Sequence, residues 1–148
     1  MCGLKIKRFS FFIYVIFLML FVSGSKSKNE MDVLIENTLN FSAEQALYMF
    51  DQIEKHDNMI PKTFENGELI LAPKSWWTSG FFAGTLWYLY ENTGLETFRL
   101  KADFMSRRVE SEANNPNNDH DVGFIINCSA GNGYRLTKDN HYLGVIND

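Results

Sequence analysis

Apolar residues recur at three- and four-residue steps through much of the chain, and this spacing constrains the fold more than any other feature. It is clearest from about Met31 to His56, where a helix would collect the apolar side chains on one face. The members of that face are Leu34, Ile35, Leu39, Ala43, Ala46, Leu47, Phe50 and Ile53. Ser42 and Gln45 have capping-box spacing, so the segment predicts one helix or two helices broken near Asn40.

Two more helices are predicted in the middle of the chain. Thr78 or Ser79 can cap a helix that runs to about Thr93 and ends at Gly94, a residue suited to the left-handed conformation that closes helices. Another helix, roughly residues 95–112, follows after a very short turn. The two helices are therefore expected to pack as antiparallel neighbours.

The rest of the chain predicts short helices and loops. Residues 57–74 contain two prolines and a glycine and predict a loop, with one short extended piece at Glu68–Leu71. A short helix is expected from about Asp121 to Ala130, closed by Gly131-Asn132-Gly133, and a last helix opens near His141. No alternating strand pattern is long enough for a sheet, so the predicted fold class is all-α.

The N-terminus predicts export. Lys5, Lys7 and Arg8 precede a largely apolar run that is followed by small residues, which is typical of a secretory signal peptide over residues 1–24. The run is shorter than the roughly 20 residues that a membrane span needs, so no stable membrane anchor is expected. The predicted organisation is a signal peptide, a flexible leader at 25–30 and an incomplete domain at 31–148. A periplasmic or extracellular location follows.

Composition excludes several classes of protein. Beyond the signal peptide Cys128 is the single cysteine, so an exported chain of this kind is held by its core and not by disulfides. Removing residues 1–24 takes away three cations and moves the formal charge from -4 to -7. An acidic chain argues against a nucleic-acid partner.

A polar loop that runs into an apolar segment, Asn117–Phe124, is the first candidate for chemistry. It places Asp119, His120 and Asp121 together just before a predicted helix. One interpretation is structural: Asn118 or Asp119 caps that helix and Asp121 complements its dipole. The other is functional: Asp121 lies against aromatic surface, where desolvation adjusts its proton affinity for acid–base work.

Other kinds of site are not supported by the sequence. Asn117, Asp119 and Asp121 have the spacing of calcium ligands, but Val122 and Cys128 stand where that loop needs glycine and glutamate. The three histidines have no zinc-ligand spacing, and Cys128 has no companion cysteine. The glycine pair at 131 and 133 lacks the preceding strand and third glycine of a dinucleotide loop.

The second candidate is an aromatic block, residues 75–90, with seven aromatic residues among sixteen. Much of it is expected to be helical core, and Gly80 and Gly84, one turn apart, would let a neighbouring helix come close. Trp76 and Trp77 precede the helix, where indoles are harder to bury. Trp77 therefore either packs in the core or lines a pocket as a stacking surface for a sugar ring.

Three motifs in this order resemble glycoside hydrolase family 88, the unsaturated glucuronyl hydrolases. They are Trp77–Glu91, Asp119–Phe124 and Gly131–Thr137, and the resemblance runs from about residue 34 to 148 and covers the N-terminal part of the family's domain. It implies an (α/α)6 toroid of the six-hairpin glycosidase type, here truncated. Ala83 and Ala130 depart from the pattern, since the family has proline and an aromatic residue there.

The resemblance also implies an activity and a set of site residues. Family members release a 4,5-unsaturated uronic acid from the non-reducing end of lyase-generated oligosaccharides: an acid protonates C4, water adds at C5 and the hemiketal collapses. By position, Asp121 matches the first essential aspartate, His120 a pocket histidine, and Trp77 and Phe81 aromatic residues beside the substrate. No metal or organic cofactor is implied.

The family's second aspartate belongs to a later helix that these 148 residues do not include. The full-length parent is therefore expected to be an enzyme, and this chain alone a fragment with little or no activity, since removing one of two cooperating groups is severe. Two alternatives stay open: a non-catalytic carbohydrate-binding protein and an unsaturated rhamnogalacturonyl hydrolase. The source polysaccharide and the oligomeric state are not specified.

Overall fold

The computed structural model describes residues 29–148. The predicted signal peptide and all but the last two residues of the predicted leader lie outside these residues. The chain divides into two units, one up to Glu36 and one over Asn37–Asp148. Apart from the first residues of a helix that begins at Glu30, the helices and strands described belong to the second unit. Among the described residues, no helix is both long and apolar enough to cross a membrane.

Helix α1, Glu30–Ile53, is one continuous helix. The expectation of a break near Asn40 is wrong, because the hydroxyl of Ser42 donates to the Thr38 carbonyl one turn earlier, at 2.8 Å, and does not cap a new helix. The predicted apolar face is confirmed at its C-terminal end, where Ala46, Phe50 and Ile53 are buried.

A β-hairpin follows, where the sequence predicted a loop. Strand β1, Met59–Glu65, pairs antiparallel with strand β2, Glu68–Pro73, through the turn Asn66-Gly67. Both turn residues have positive φ, 52° and 85°. Asn-Gly is a strong hairpin signal for this reason, so the loop interpretation was wrong for β1, although the extended piece at Glu68–Leu71 is confirmed within β2.

Helices α2, Phe81–Thr93, and α3, Glu96–Val109, form the centre of the core. Helix α2 ends as predicted at Gly94, which has φ of 66° and donates its N–H to the Tyr90 carbonyl. The predicted cap at its start is wrong, because neither Thr78 nor Ser79 makes a side-chain cap bond and the cap position belongs to Gly80. The indole of Trp87 is fully buried and donates to Ser106 of α3 at 2.9 Å.

After a 3-10 turn, Glu110–Asn114, and a loop, two helical segments follow, separated by Lys138 and Asp139. Helix α4, Val122–Ile126, continues through a π-helical turn, Asn127–Gly131, into α5, Asn132–Thr137, and α6 spans Asn140–Asn147.

The prediction that the glycines at 131 and 133 stop a helix is therefore wrong. The helical run ends at Lys138, which has φ of 59°. Gly133 serves packing instead, because a Cβ there would lie 2.7 Å from the ring of Tyr142. The predicted opening of a last helix near His141 is confirmed, since Asp139 caps α6 by accepting the His141 N–H at 2.9 Å.

Candidate functional site

Three aromatic rings form an exposed cluster, which we call the aromatic platform: Trp77, Phe81 and Phe124. Their centroids are 5.8 Å apart for Trp77 and Phe81, 6.3 Å for Trp77 and Phe124, and 6.4 Å for Phe81 and Phe124, all with edge-to-face geometry. Each ring keeps 41–49% of its surface exposed. Of the two interpretations of Trp77, burial in the core is therefore excluded, and an accessible stacking surface is present.

The platform forms because α2 and α4 approach each other closely. Gly80, just before α2, leaves no room for a side chain, since a Cβ there would lie 2.1 Å from the Ile125 carbonyl oxygen of α4. One turn later, a Cβ on Gly84 would lie 3.0 Å from the Cys128 carbonyl. The prediction that these two glycines admit a neighbouring helix is confirmed. Their spacing brings Phe124, on α4, next to Phe81, on α2.

Asp121 stands at the start of α4, one turn before Phe124. Its side chain is 31% exposed and makes no cap hydrogen bond. Asp119 supplies the local turn instead, because its Oδ1 accepts the Asp121 N–H at 2.9 Å. Asp119 thus makes the local side-chain hydrogen bond that the sequence allowed for it, and Asp121 stands at the helix N-terminus, where its carboxylate also complements the helix dipole.

His120 lies beside Asp121 but is far more exposed. Its Nε2 is 3.5 Å from Asp121 Oδ1, and 86% of its side chain is accessible, against 31% for Asp121. An imidazole in this position can donate a hydrogen bond to the carboxylate or to a bound ligand. The structure thus brings His120 next to Asp121 and Trp77 next to Phe81, and Phe124, one turn after Asp121, packs against Trp77 and Phe81.

Phe124 is the residue that the sequence interpretation missed. The Asp119–Phe124 motif includes it, but the motif alone predicts no role for its side chain. Its position three residues after Asp121 was the available signal, since that spacing puts two side chains on neighbouring parts of a helix surface.

The third motif, Gly131–Thr137, contributes an ion pair between two helices and not a side chain of the site. Arg135 on α5 binds Glu91 on α2 through two parallel hydrogen bonds, each of 2.7 Å. Hydrogen bonds from the Arg135 guanidinium hold the pKa of Glu91 below its usual range. A bidentate pair of this kind fixes orientation, so it holds the helical run that begins at Asp121 against α2.

The thiol of Cys128 and the hydroxyl of Ser129 are near the site, but their surroundings indicate structural roles. Burial raises the pKa of the Cys128 thiol, which is the opposite of what a nucleophilic cysteine needs. Ser129 in the π-helical turn donates to the Ile125 carbonyl at 2.6 Å and is fully buried. Within residues 29–148 no group of three or more histidine, cysteine, aspartate or glutamate side chains could hold a metal ion.

Comparisons with curated sequences and solved structures find unsaturated glucuronyl hydrolases. No family model matches the chain. A relative from Formosa agariphila, an unsaturated glucuronyl hydrolase, is 40% identical over 71 residues, which are 48% of this chain and 18% of the relative. A solved unsaturated glucuronyl hydrolase specific for heparin is 32% identical with a TM-score of 0.62, over 75% of this chain and 30% of that one.

A third similar protein, a variant of the Streptococcus agalactiae unsaturated glucuronyl hydrolase, was solved with the disaccharide dGlcA-GalNAc6S. It is 23% identical with a TM-score of 0.60, over 81% of this chain and 32% of that one, and it informs the fold alone. The chain therefore spans about a fifth to a third of the length of these relatives. The resemblance to family 88 is confirmed, and the mostly helical fold agrees with part of the six-hairpin toroid of these proteins.

Proposed function

We propose that this chain is part of an unsaturated glucuronyl hydrolase in which Asp121 acts on the substrate. The observation that carries the proposal is the placement of an uncapped carboxylate one turn before an exposed three-ring platform, on a chain similar to enzymes of that activity. The substrate class is an oligosaccharide that ends in a 4,5-unsaturated uronic acid.

In the proposed function the aromatic platform binds the sugar ring, and Asp121 and His120 act on its polar groups. A pyranose ring presents an apolar face of C–H groups, and the platform of Trp77, Phe81 and Phe124 offers aromatic surface for it. We expect a ring bound there to come within reach of Asp121, which stands one turn before Phe124. His120, at 3.5 Å from that carboxylate, can hydrogen-bond to the hydroxyls or the uronate of the sugar.

The reaction needs a proton at C4 and a water molecule at C5. One carboxyl group donates a proton and a second assists water, and the hemiketal so formed opens and releases the neighbouring sugar. Asp121 supplies one of these groups, and the family resemblance implies that the second aspartate lies further along a complete domain. Because this chain spans 18% of its Formosa agariphila relative, we propose that its 148 residues alone have little or no activity.

Location and substrate source are also part of the proposal. The basic and apolar start of the chain supports export to the periplasm or the outside of the cell, where lyases leave oligosaccharides of this kind.

The proposal is tested with a hybrid enzyme. Residues 37–148 of this chain replace the equivalent portion of the solved heparin-specific enzyme, so that the rest of the toroid is supplied. Lyase-made disaccharides are added, and the ultraviolet absorbance of the conjugated double bond is followed. We expect the absorbance to fall with the hybrid, and Asp121→Asn to lower kcat by at least about 100-fold.

Two controls make the result decisive. The unaltered heparin-specific enzyme shows that the disaccharides are turned over, and circular dichroism shows that the hybrid is folded. A folded hybrid that binds the disaccharides without changing their absorbance would favour the alternative of a non-catalytic carbohydrate-binding protein, which uses the same platform.

A further inference from the structure

The loop that carries Asp121 is built over a buried carboxylate. Glu112, in the 3-10 turn that follows α3, is only 3% exposed. Its Oε2 accepts hydrogen bonds from the side-chain amides of Asn115, at 2.6 Å, and Asn118, at 3.2 Å. Among the described residues no cation forms an ion pair with it. A buried carboxylate without a cation is costly unless such hydrogen bonds compensate it.

The two asparagines fold the loop onto Glu112. Asn115 is held at both ends of its amide, because its Oδ1 accepts the Asn117 N–H at 3.0 Å. Asn118 also donates to the backbone carbonyl of Glu112 at 2.9 Å, and its own N–H binds the Asn115 carbonyl at 3.0 Å. The Glu112 carboxylate thus accepts from both asparagine amides of the loop, and further hydrogen bonds within residues 112–118 complete its conformation.

The same loop leads directly to the site. Asp119 comes next, and its Oδ1 accepts the N–H of Asp121, while its carbonyl accepts the N–H of Val122 at 3.2 Å. Asn118 is thus anchored on Glu112, and Asp121 is anchored on Asp119 immediately after it. A displacement of Asn118 would be passed to the Asp121 backbone, because only two residues separate them.

We propose that Glu112 is a positioning residue that sets where the Asp121 carboxylate stands. Its value for catalysis rests on the proposed function, since a misplaced acid or base group costs rate even when binding is intact. Its effect on the loop does not rest on that function. An apolar residue at 112 would fill the space but leave the amides of Asn115 and Asn118 without their acceptor.

Amide hydrogen exchange in the 148-residue chain tests the effect on the loop. Glu112→Met removes the acceptor, whereas Glu112→Gln keeps an oxygen at that position and is expected to rescue most of the order. Exchange at Asn117, Asn118 and Asp121 should rise on the order of tenfold in the Met variant and far less in the Gln variant. Glu110→Met is the matched control, because Glu110 lies in the same turn but binds His141 at 2.7 Å.

Asn118→Ala makes the test independent of one variant, because it removes the donor and leaves Glu112 in place. It should also raise exchange at Asp121. If exchange in the loop is the same in all these variants as in the unaltered chain, Glu112 does not position the loop and the inference is wrong.

Activity in the hybrid enzyme separates this inference from the proposed function. Glu112→Met should lower kcat about tenfold or more with little change in KM, since the platform is untouched, and Glu112→Gln should restore most of the loss. An inactive but folded unaltered hybrid would contradict the proposed function while the exchange result still decides the role of Glu112. Equal losses of kcat for Glu112→Met and Glu110→Met would contradict positioning.

Discussion

The two ends of the aromatic block in residues 75–90 have different environments. At one end Trp87 is fully buried, donates to Ser106, and meets the ring of Tyr142 edge to face at 5.8 Å. At the other end Trp77 is 43% exposed, and its ring neighbours, Phe81 and Phe124, are exposed as well. The same residue type thus stabilises the core at one end and forms part of an exposed aromatic cluster at the other.

The difference lies in what each indole can reach. Trp87 is inside a helix that packs along α3, where a hydroxyl is available for its N–H. Trp77 precedes α2, and its ring neighbours, Phe81 and Phe124, are themselves exposed. A tryptophan needs both space and a hydrogen-bond partner to be buried, and only one of the two positions provides them.

The largest expected effect is on the buried end. Trp87→Ala leaves a cavity and frees the Ser106 hydroxyl, and it should lower the free energy of unfolding by about 3–5 kcal/mol. Trp77→Ala, the matched change at the exposed end, should cost less than about 1.5 kcal/mol, because it loses ring contacts but creates no buried cavity. Urea denaturation followed by circular dichroism measures both. Similar losses for the two variants would remove the distinction.

Substitution at Gly80, which lies between Trp77 and Trp87 in the sequence, is expected to have the next largest effect. Gly80→Ala places a methyl group against the Ile125 carbonyl and should lower stability by about 1–3 kcal/mol, while also moving Phe124 away from Phe81. Gly144→Ala is the control, since a Cβ there meets nothing within 4 Å, and it should stabilise helix α6 by about 0.5 kcal/mol. Thermal unfolding distinguishes the two, and an unchanged stability for Gly80→Ala would show that α4 can yield.

The smallest effect expected is a dependence on pH at the buried end. Burial raises the pKa of Asp103, but hydrogen bonds from Tyr142 and Arg107 outweigh it and hold the pKa below its usual range. A carboxylate with a lowered folded pKa stabilises the fold above its unfolded pKa and loses that contribution as the pH falls. Stability should therefore drop from about pH 5 to about pH 2, and Asp103→Asn should flatten the drop.

Urea titrations at several pH values check this. An equally steep loss in the Asn variant would place the acid sensitivity elsewhere.

What the sequence could predict depended on whether the signal was local. The C-terminal face of α1, the stop at Gly94 and the glycine pair at 80 and 84 follow from periodicity and backbone freedom. The hairpin was missed because prolines outweighed the turn Asn66-Gly67, although Pro61 lies next to an irregularity in the strand register.

Other features could not be inferred because they depend on contacts between distant segments. The prediction of a helix stop at Gly133 is wrong, and the ring of Tyr142, against which it packs, explains why the position is glycine. Likewise, nothing near Glu112 in the sequence shows that it is buried. Trp77 and Phe81 were predicted as site residues, but their meeting with Phe124 requires the packing of α4 on α2.

The proposed function requires Asp121 to take part in hydration of a double bond. Its most direct test is turnover of a lyase-made disaccharide by the hybrid enzyme in deuterium oxide, with the released uronate analysed by mass spectrometry and NMR. We expect deuterium bound to carbon at C4 of freshly released product, and Asp121→Asn to lower product formation by at least about 100-fold. Product without deuterium at C4, or full turnover by the Asn variant, would contradict it.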